Sequence, residues 1–218
     1  MSEWRGGSSS REEILGRVDR ALDGVGPVAA PPLAPRRAQL VGPEALVELF
    51  AERVADYRAT VVRADPDTVA DAIAAALVGA ESVIVPSGLS VDLAGVVPQV
   101  IVDDATLGAA ELDRIDAVVT DATLGIAETG TIVLDHGPGQ GRRAITLVPD
   151  VHVCLVRVDQ VVTDVPDAVA VLGDPVRGGS PLTWISGPSA TSDIELHRVE
   201  GVHGPRHLTV ILIGPADR

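Results

Sequence analysis

The sequence predicts an α/β fold: a three-layer, doubly wound, mostly parallel sheet with helices on both faces, preceded by a helical N-terminal arm. Three observations point there. Short apolar runs rich in β-branched residues lack polar alternation, as strands do when both faces are covered. Segments with helical spacing separate several of these runs, the alternation that builds parallel sheets. Hydrophobic residues make up 46% of the 218-residue chain, enough for one well-buried core.

Each element follows from local signals. Residues 11–22 place Ile14, Leu15, Val18 and Leu22 at helical spacing, with Arg11, Glu12, Glu13 and Arg17 opposite. The stretch 24–37 is rich in Pro, Ala and Gly and reads as a linker. Residues 1–40 are therefore an arm that packs on the body or on a partner, and 41–218 form the domain. Gly42-Pro43-Glu44 starts a second helix, with Pro at the first helical position and an acid in the first turn. Residues 60–63 form a short strand. Asp65-Pro66-Asp67 repeats the start signal ahead of Val69, Ile73 and Leu77, and Gly79 stops that helix. Strands are then expected at 82–85, 100–103, 117–120, 131–134, 151–158 and 208–213, with helical patterns at 107–112 and 166–172.

Composition excludes several function classes. The net charge is −14 and all 17 basic residues are arginine, so the chain lacks the basic face that nucleic acid requires. The absence of lysine excludes Schiff-base chemistry on this chain. No apolar run approaches the roughly 18 residues of a spanning helix, so no membrane insertion is expected. The first residues lack the apolar core of a secretory signal, and a cytoplasmic location is expected. Cys154 stands alone in an apolar run. One thiol closes no disulfide within the chain and holds no iron–sulfur cluster, and Cys154 is expected to be a small buried hydrophobe. No cofactor and no metal site is expected: His203 and His207 share a helical spacing, but Gly204-Pro205 breaks the helix that it would need. His207 is expected to open the last strand.

Three polar segments stand out beside strands, where open α/β sheets place ligands. In the first, Gly125 to Thr131, Glu128 lies among small and apolar residues, a setting for a semi-buried carboxylate. Burial raises a carboxyl pKa and suits it to acid–base or nucleophilic work. Capping of backbone donors, or pairing with an arginine, accounts for it equally well. Thr129, Gly130 and Thr131 are candidate ligand contacts. In the second segment, Asp135 to Arg143, glycines let backbone amides approach an anion and Arg142 and Arg143 could clamp one. The pattern matches neither the dinucleotide fingerprint nor a P-loop, and a plain connecting loop is the alternative. The third runs from Ser186 to Glu195 and continues at Gly201-Val202-His203-Gly204-Pro205. Here Ser186, Gly187, Ser189, Thr191, Asp193 and Glu195 are candidate ligand contacts, with His203 for hydrogen bonding or proton transfer. Ser189 is not in a nucleophile elbow. Ser192 and Glu195 have capping-box spacing, so part of this polarity could start a helix. The three segments are expected to meet in one cleft beyond the carboxyl ends of the strands.

Four of these stretches, AETGTIVL, GRRAITLVPDVHVCLV, SGPSATSDIE and GVHGP, occur in an order that resembles the LUD domain of the lactate utilization protein C family. The resemblance spans about residues 42–214. It implies a fold shared with ribose-phosphate isomerases, CoA-transferases and 5-formyltetrahydrofolate cyclo-ligase. It also implies a role with two partner proteins, one of them iron–sulfur, in oxidising L-lactate to pyruvate. The lone cysteine fits a non-redox component of such an assembly, one that binds a small carboxylate ligand or its iron–sulfur lactate utilization partners. Two alternatives stand beside it: an independent acyl- or CoA-handling transferase with Glu128 as nucleophile, and a pure interaction module. Whether the chain is an enzyme by itself is left open.

Overall fold

The structure, a computed structural model, describes residues 9–26, 42–192, 198–200 and 204–215, with backbone alone at 190–192 and 198–200. The chain divides into two units, Met1–Ala38 and Gln39–Arg218. In the first, α1 (Ser10–Leu22) opens with a capping box: Ser9 accepts from the Glu12 amide, and the Glu12 carboxylate accepts from the Ser9 amide. This satisfies two orphan donors of the first turn. No residue of α1 is buried, and Ile14, Leu15, Val18 and Leu22 are all exposed.

The second unit is built on a six-stranded parallel sheet. Its members are β1 (Thr60–Ala64), β2 (Ser82–Val85), β3 (Gln99–Val102), β4 (Ala117–Asp121), β7 (Val151–Arg157) and β12 (His207–Ile213). Their spatial order is β1-β12-β7-β4-β2-β3. The side chains of β7 and β12 alternate between two apolar layers. Val153, Leu155 and Ile211 pack against α3 (Val69–Ala76) through Val69 and Ile73, with Leu77 just beyond the helix. Cys154, Val156, Val210 and Leu212 face the opposite layer, where α2 (Pro43–Asp56) contributes Leu46, Val47, Phe50 and Val54. Both faces are dry, which is why these strands read as continuous apolar runs. Ile84 and Val118 face a third cluster with Leu112, from α4 (Ala109–Leu112), and Ile145.

Helix starts follow the expected chemistry. Pro43 occupies the first turn of α2. Ahead of α3 the Asp65 carboxylate accepts from the amides of Asp67 and Thr68, at 2.9 and 2.8 Å. Asp164 caps α5 (Val165–Arg177) by accepting from the Asp167 amide at 2.9 Å.

One expected strand belongs elsewhere. β6 (Thr131–Leu134) lies in a second sheet with β5 (Leu124–Ile126), β8 (Val161–Val162) and β9 (Thr183–Ile185), in the order β8-β5-β6-β9. Only residues 127–130 join β5 to β6. So short a link closes an antiparallel pair, whereas a parallel crossover needs about a dozen residues or more. This sheet sits between α2 and α5: Ile132 and Leu134 join the α2 cluster, while Leu124, Ile126 and Val133 pack on Ala168 and Leu172 of α5. Thus one face of the parallel sheet is covered by a helix together with a smaller sheet. A third, two-stranded antiparallel pair joins β10 (Ala190–Ser192) to β11 (Arg198–Glu200). Ser192 therefore lies in a strand rather than at a helix start.

Two glycines of the first polar segment are required by this packing. A Cβ on Gly125 would stand 2.7 Å from the Phe50 ring, and one on Gly130 would stand 2.5 Å from the Arg53 backbone. Gly130 also has φ +58°. Gly130→Ala is expected to destabilise the fold by about 1–3 kcal/mol or more, since the neighbour is backbone and cannot rotate away. Thermal unfolding checks this, and a midpoint equal to the parent's contradicts the close approach.

Candidate functional site

The third polar segment and the end of the second meet in a cleft of about 280 Å³. Arg143, Thr146 and Leu147 line it from the short 3₁₀ turn Arg143–Thr146 and its end, Ser186, Gly187 and Ser189 from the loop after β9, and Gly204 and Pro205 from the approach to β12. His152 and Leu208, each second in its strand, form the part nearest the sheet. The cleft thus lies at the amino ends of β7 and β12, not beyond the carboxyl ends where it was expected.

The first segment reaches this cleft only through hydroxyls. Thr129 Oγ1 and Thr131 Oγ1 are 2.8 Å apart, and Thr131 Oγ1 is 2.8 Å from Ser186 Oγ. Thr131 is buried, so this chain orders the Ser186 side chain at the rim of the cleft. Glu128 lies in the turn between β5 and β6 and is exposed, not semi-buried, and it does not line the cleft. Its flanking residues Ala127 and Gly130 are buried, but the carboxylate is at the surface of the turn.

The two arginines of the second segment have different positions. Arg142 is held by Asp103: Nε donates to Oδ2 at 2.9 Å and Nη2 to Oδ1 at 3.0 Å, while Nη2 also reaches the Leu107 carbonyl at 2.8 Å. The Asp103 side chain is only 6% exposed, so this bidentate pair is largely desolvated. It fastens the loop to the end of β3 and commits Arg142, the expected anion clamp, to the fold. Arg143 is exposed, and no described residue pairs with its guanidinium.

The glycine-rich loop itself is a connector. The amides of Gly137, Gly139 and Gly141 donate to Asp135 Oδ1, the Ser87 carbonyl and the Gly137 carbonyl, and so are not free to cradle an anion. His136 has φ +61°, with Nδ1 2.7 Å from the Gly141 carbonyl and Nε2 2.7 Å from Thr183 Oγ1. This loop, with Ser87, Gly88, Asp103 and Asp104, borders a wider cleft of about 790 Å³ at the carboxyl ends of β2 and β3, which Arg143 also reaches.

His203, Asp193 and Glu195 lie outside the described residues, as does the side chain of Thr191. Among the described residues no three His, Cys, Asp or Glu gather as a metal-ligand set. No helix among them is long and apolar enough to cross a membrane.

A family model for the LUD domain matches residues 47–213. The chain belongs to the LUD domain family. Lactate utilization protein C of Deinococcus radiodurans is 48% identical over 207 residues, covering 95% of this chain and 97% of that protein. Lactate utilization protein C of a Geobacillus species is 31% identical over 50% of this chain and 48% of its own length. The crystal structure of a DUF162 family protein from Deinococcus radiodurans superposes with a TM-score of 0.71 and 42% identity, covering 80% of this chain and 99% of that one.

In this LUD domain the residue that sequence reasoning missed is His152. It is 1% exposed, near the amino end of β7, with Nε2 2.8 Å from Thr120 Oγ1. Thr120 in turn donates to Cys154 Sγ at 3.7 Å. Burial lowers the imidazole pKa to about 4 and raises the Cys154 thiol to about 12. The histidine is therefore neutral at physiological pH, and the thiol inert. A titratable residue inside an apolar run was the available signal.

Arg142→Ala is expected to lower stability by about 1–3 kcal/mol, because Asp103 keeps its burial and loses its partner. Arg143→Ala should leave the thermal midpoint within about a degree or two, as exposed unpaired side chains contribute little. Equal midpoints for the two variants contradict the division of roles.

His152 also sets a pH dependence. The unfolded chain takes a proton on this imidazole below about pH 6.5, whereas the folded chain resists until about pH 4. Stability is whole above pH 6.5 and falls as pH drops through that window, by about 3 kcal/mol in all. Asp121, whose carboxyl burial raises, acts in the opposite sense over the carboxylate range. Unfolding free energies measured from pH 7.5 to 4 should show the loss, and His152→Phe should flatten it. A parent profile that is flat between pH 6.5 and 5 refutes the assignment.

Proposed function

We propose that the chain is the C component of a cytoplasmic lactate-utilization assembly. In this reading it is a non-redox subunit that acts with iron–sulfur partner proteins in oxidising L-lactate to pyruvate. The observation that carries the proposal is the near full-length similarity to a lactate utilization protein C, which leaves no domain of that relative unmatched. The residues support the division of labour. Cys154 is fully buried with its thiol held protonated, so it offers neither a cluster ligand nor an electron-transfer group. What the chain does offer is a small cleft with an exposed cation at its rim and hydroxyls along one wall, which suits a small carboxylate. Arg143, Ser186, Gly187 and Ser189 are the proposed contacts.

Deletion of the gene in its own host, where no parallel lactate oxidase operates, is expected to abolish growth on L-lactate and to spare growth on pyruvate. Complementation with the parent chain should restore it. Affinity purification of the tagged chain from lactate-grown cells should bring down iron–sulfur proteins in stoichiometric amount. Normal growth of the deletion strain on L-lactate would overturn the proposal.

A further inference from the structure

The cleft at the amino ends of β7 and β12 has a polar group at its inner end that the sheet alone does not explain. His152 is buried in a strand whose other side chains are almost all apolar, and it lines the cleft. Its contacts with Thr120 and Cys154 suit an imidazole protonated on Nε2. Thr120 has one hydroxyl proton, which it donates to Cys154 Sγ. The Thr120 oxygen then accepts from His152 Nε2–H at 2.8 Å. A neutral imidazole protonated on Nε2 carries a lone pair on Nδ1. No described residue engages that nitrogen, yet every fully enclosed side-chain nitrogen or oxygen among the described residues has a partner. Nδ1 is therefore the atom that His152 presents to the cleft. Because burial keeps the ring neutral down to about pH 4, this atom is an acceptor at every physiological pH.

The cleft has two further chemical features. Arg143, exposed and with no guanidinium partner among the described residues, lines it. The lining also includes Leu147, Ile185 and Leu208. At about 280 Å³ the space is just below the roughly 300–1,000 Å³ of most ligand pockets. A ligand that satisfies all of this is short, carries a carboxylate for Arg143, and carries a hydrogen-bond donor for Nδ1.

We propose that this cleft binds a short 2-hydroxycarboxylate, with Arg143 holding the carboxylate and His152 Nδ1 accepting the hydroxyl proton in a hydrogen bond. The inference deepens the lactate reading and rests on it for the choice of acid, but its geometry and its test stand apart from growth. His152 acts here as a specificity residue. A 2-oxo acid has no donor to offer, so it leaves the Nδ1 lone pair of a nearly fully buried ring unpaired, and a plain carboxylate does the same. Selection for the hydroxy acid therefore comes from a penalty on its analogues as much as from attraction.

Binding of L-lactate, pyruvate and propionate to the purified full-length chain tests this, by calorimetry or by the fluorescence of Trp184, which lines the same cleft. L-lactate is expected to bind roughly tenfold or more tightly than either analogue, the usual cost of one hydrogen bond left unmade in a buried site. Arg143→Ala should weaken L-lactate by roughly tenfold or more. His152→Phe should bring L-lactate and propionate to within about twofold of each other, since both then meet a ring without an acceptor. The comparison of the three acids on the parent chain needs no variant and decides the matter even if His152→Phe does not fold. Equal affinities, or no binding of L-lactate at millimolar concentration, overturn the inference. Loss of growth on L-lactate together with no binding would refute this site and leave the pathway reading standing.

Discussion

Every polar group on the inner strands β4 and β7 must find a partner inside the protein, because both faces of these strands are covered. Along β7 this constraint is nearly absolute: Val153 and Leu155 lie under α3, and Cys154 and Val156 lie under α2 and the second sheet. Thr120, opposite Cys154 in the register of β4 and β7, satisfies its hydroxyl on His152 and the thiol. A desolvated hydroxyl or imidazole without a partner costs a few kcal/mol at order of magnitude. The same dryness that forces this pairing also holds His152 neutral and keeps Cys154 a thiol. The chemistry of the cleft is thus set by how the sheet is covered.

The covering layer depends on close backbone approach. Phe50 fills the space over Gly125, and the β5–β6 turn meets the end of α2 at Gly130. Tyr57, just past α2, lies against Gly187 in the same way, where an added Cβ would stand 2.6 Å from the tyrosine. These contacts bring the turn and the loop after β9 to one helix end, and the Thr129–Thr131–Ser186 hydroxyl chain bridges them. Glycine here acts by absence of a side chain, and the small residues that resemble a ligand cradle in one dimension are packing contacts in three. On the opposite side the Asp103–Arg142 pair does for the loop before β7 what the glycines do for the turn. It fixes a connection whose own amides are spent on internal bonds, and so leaves Arg143 as the cation that faces solvent.

The sequence by itself determined the helices, the strands of the parallel sheet and the sheet class, while β5, β8 and β9, at two or three residues each, left no apolar run long enough to read. Dry parallel strands need continuous apolar runs, and helix starts need signals such as Pro43 and Asp65, so both leave marks within a few residues. The motif order determined the family for the same reason, since those residues are contiguous. Tertiary structure alone decided that β6 leaves the parallel sheet, because an apolar run of that length has the same composition in either sheet. It alone separated Arg142 from Arg143, as the distinction rests on Asp103, 39 residues away along the chain. It placed Glu128 at the surface, although its neighbours in sequence are small and apolar, because a four-residue turn exposes its tip whatever its composition. And it made His152 a candidate for ligand contact. In sequence this is one polar residue in a strand; in the fold it is the acceptor at the inner end of a cleft whose cation comes from another loop, a pairing that only chain folding can create.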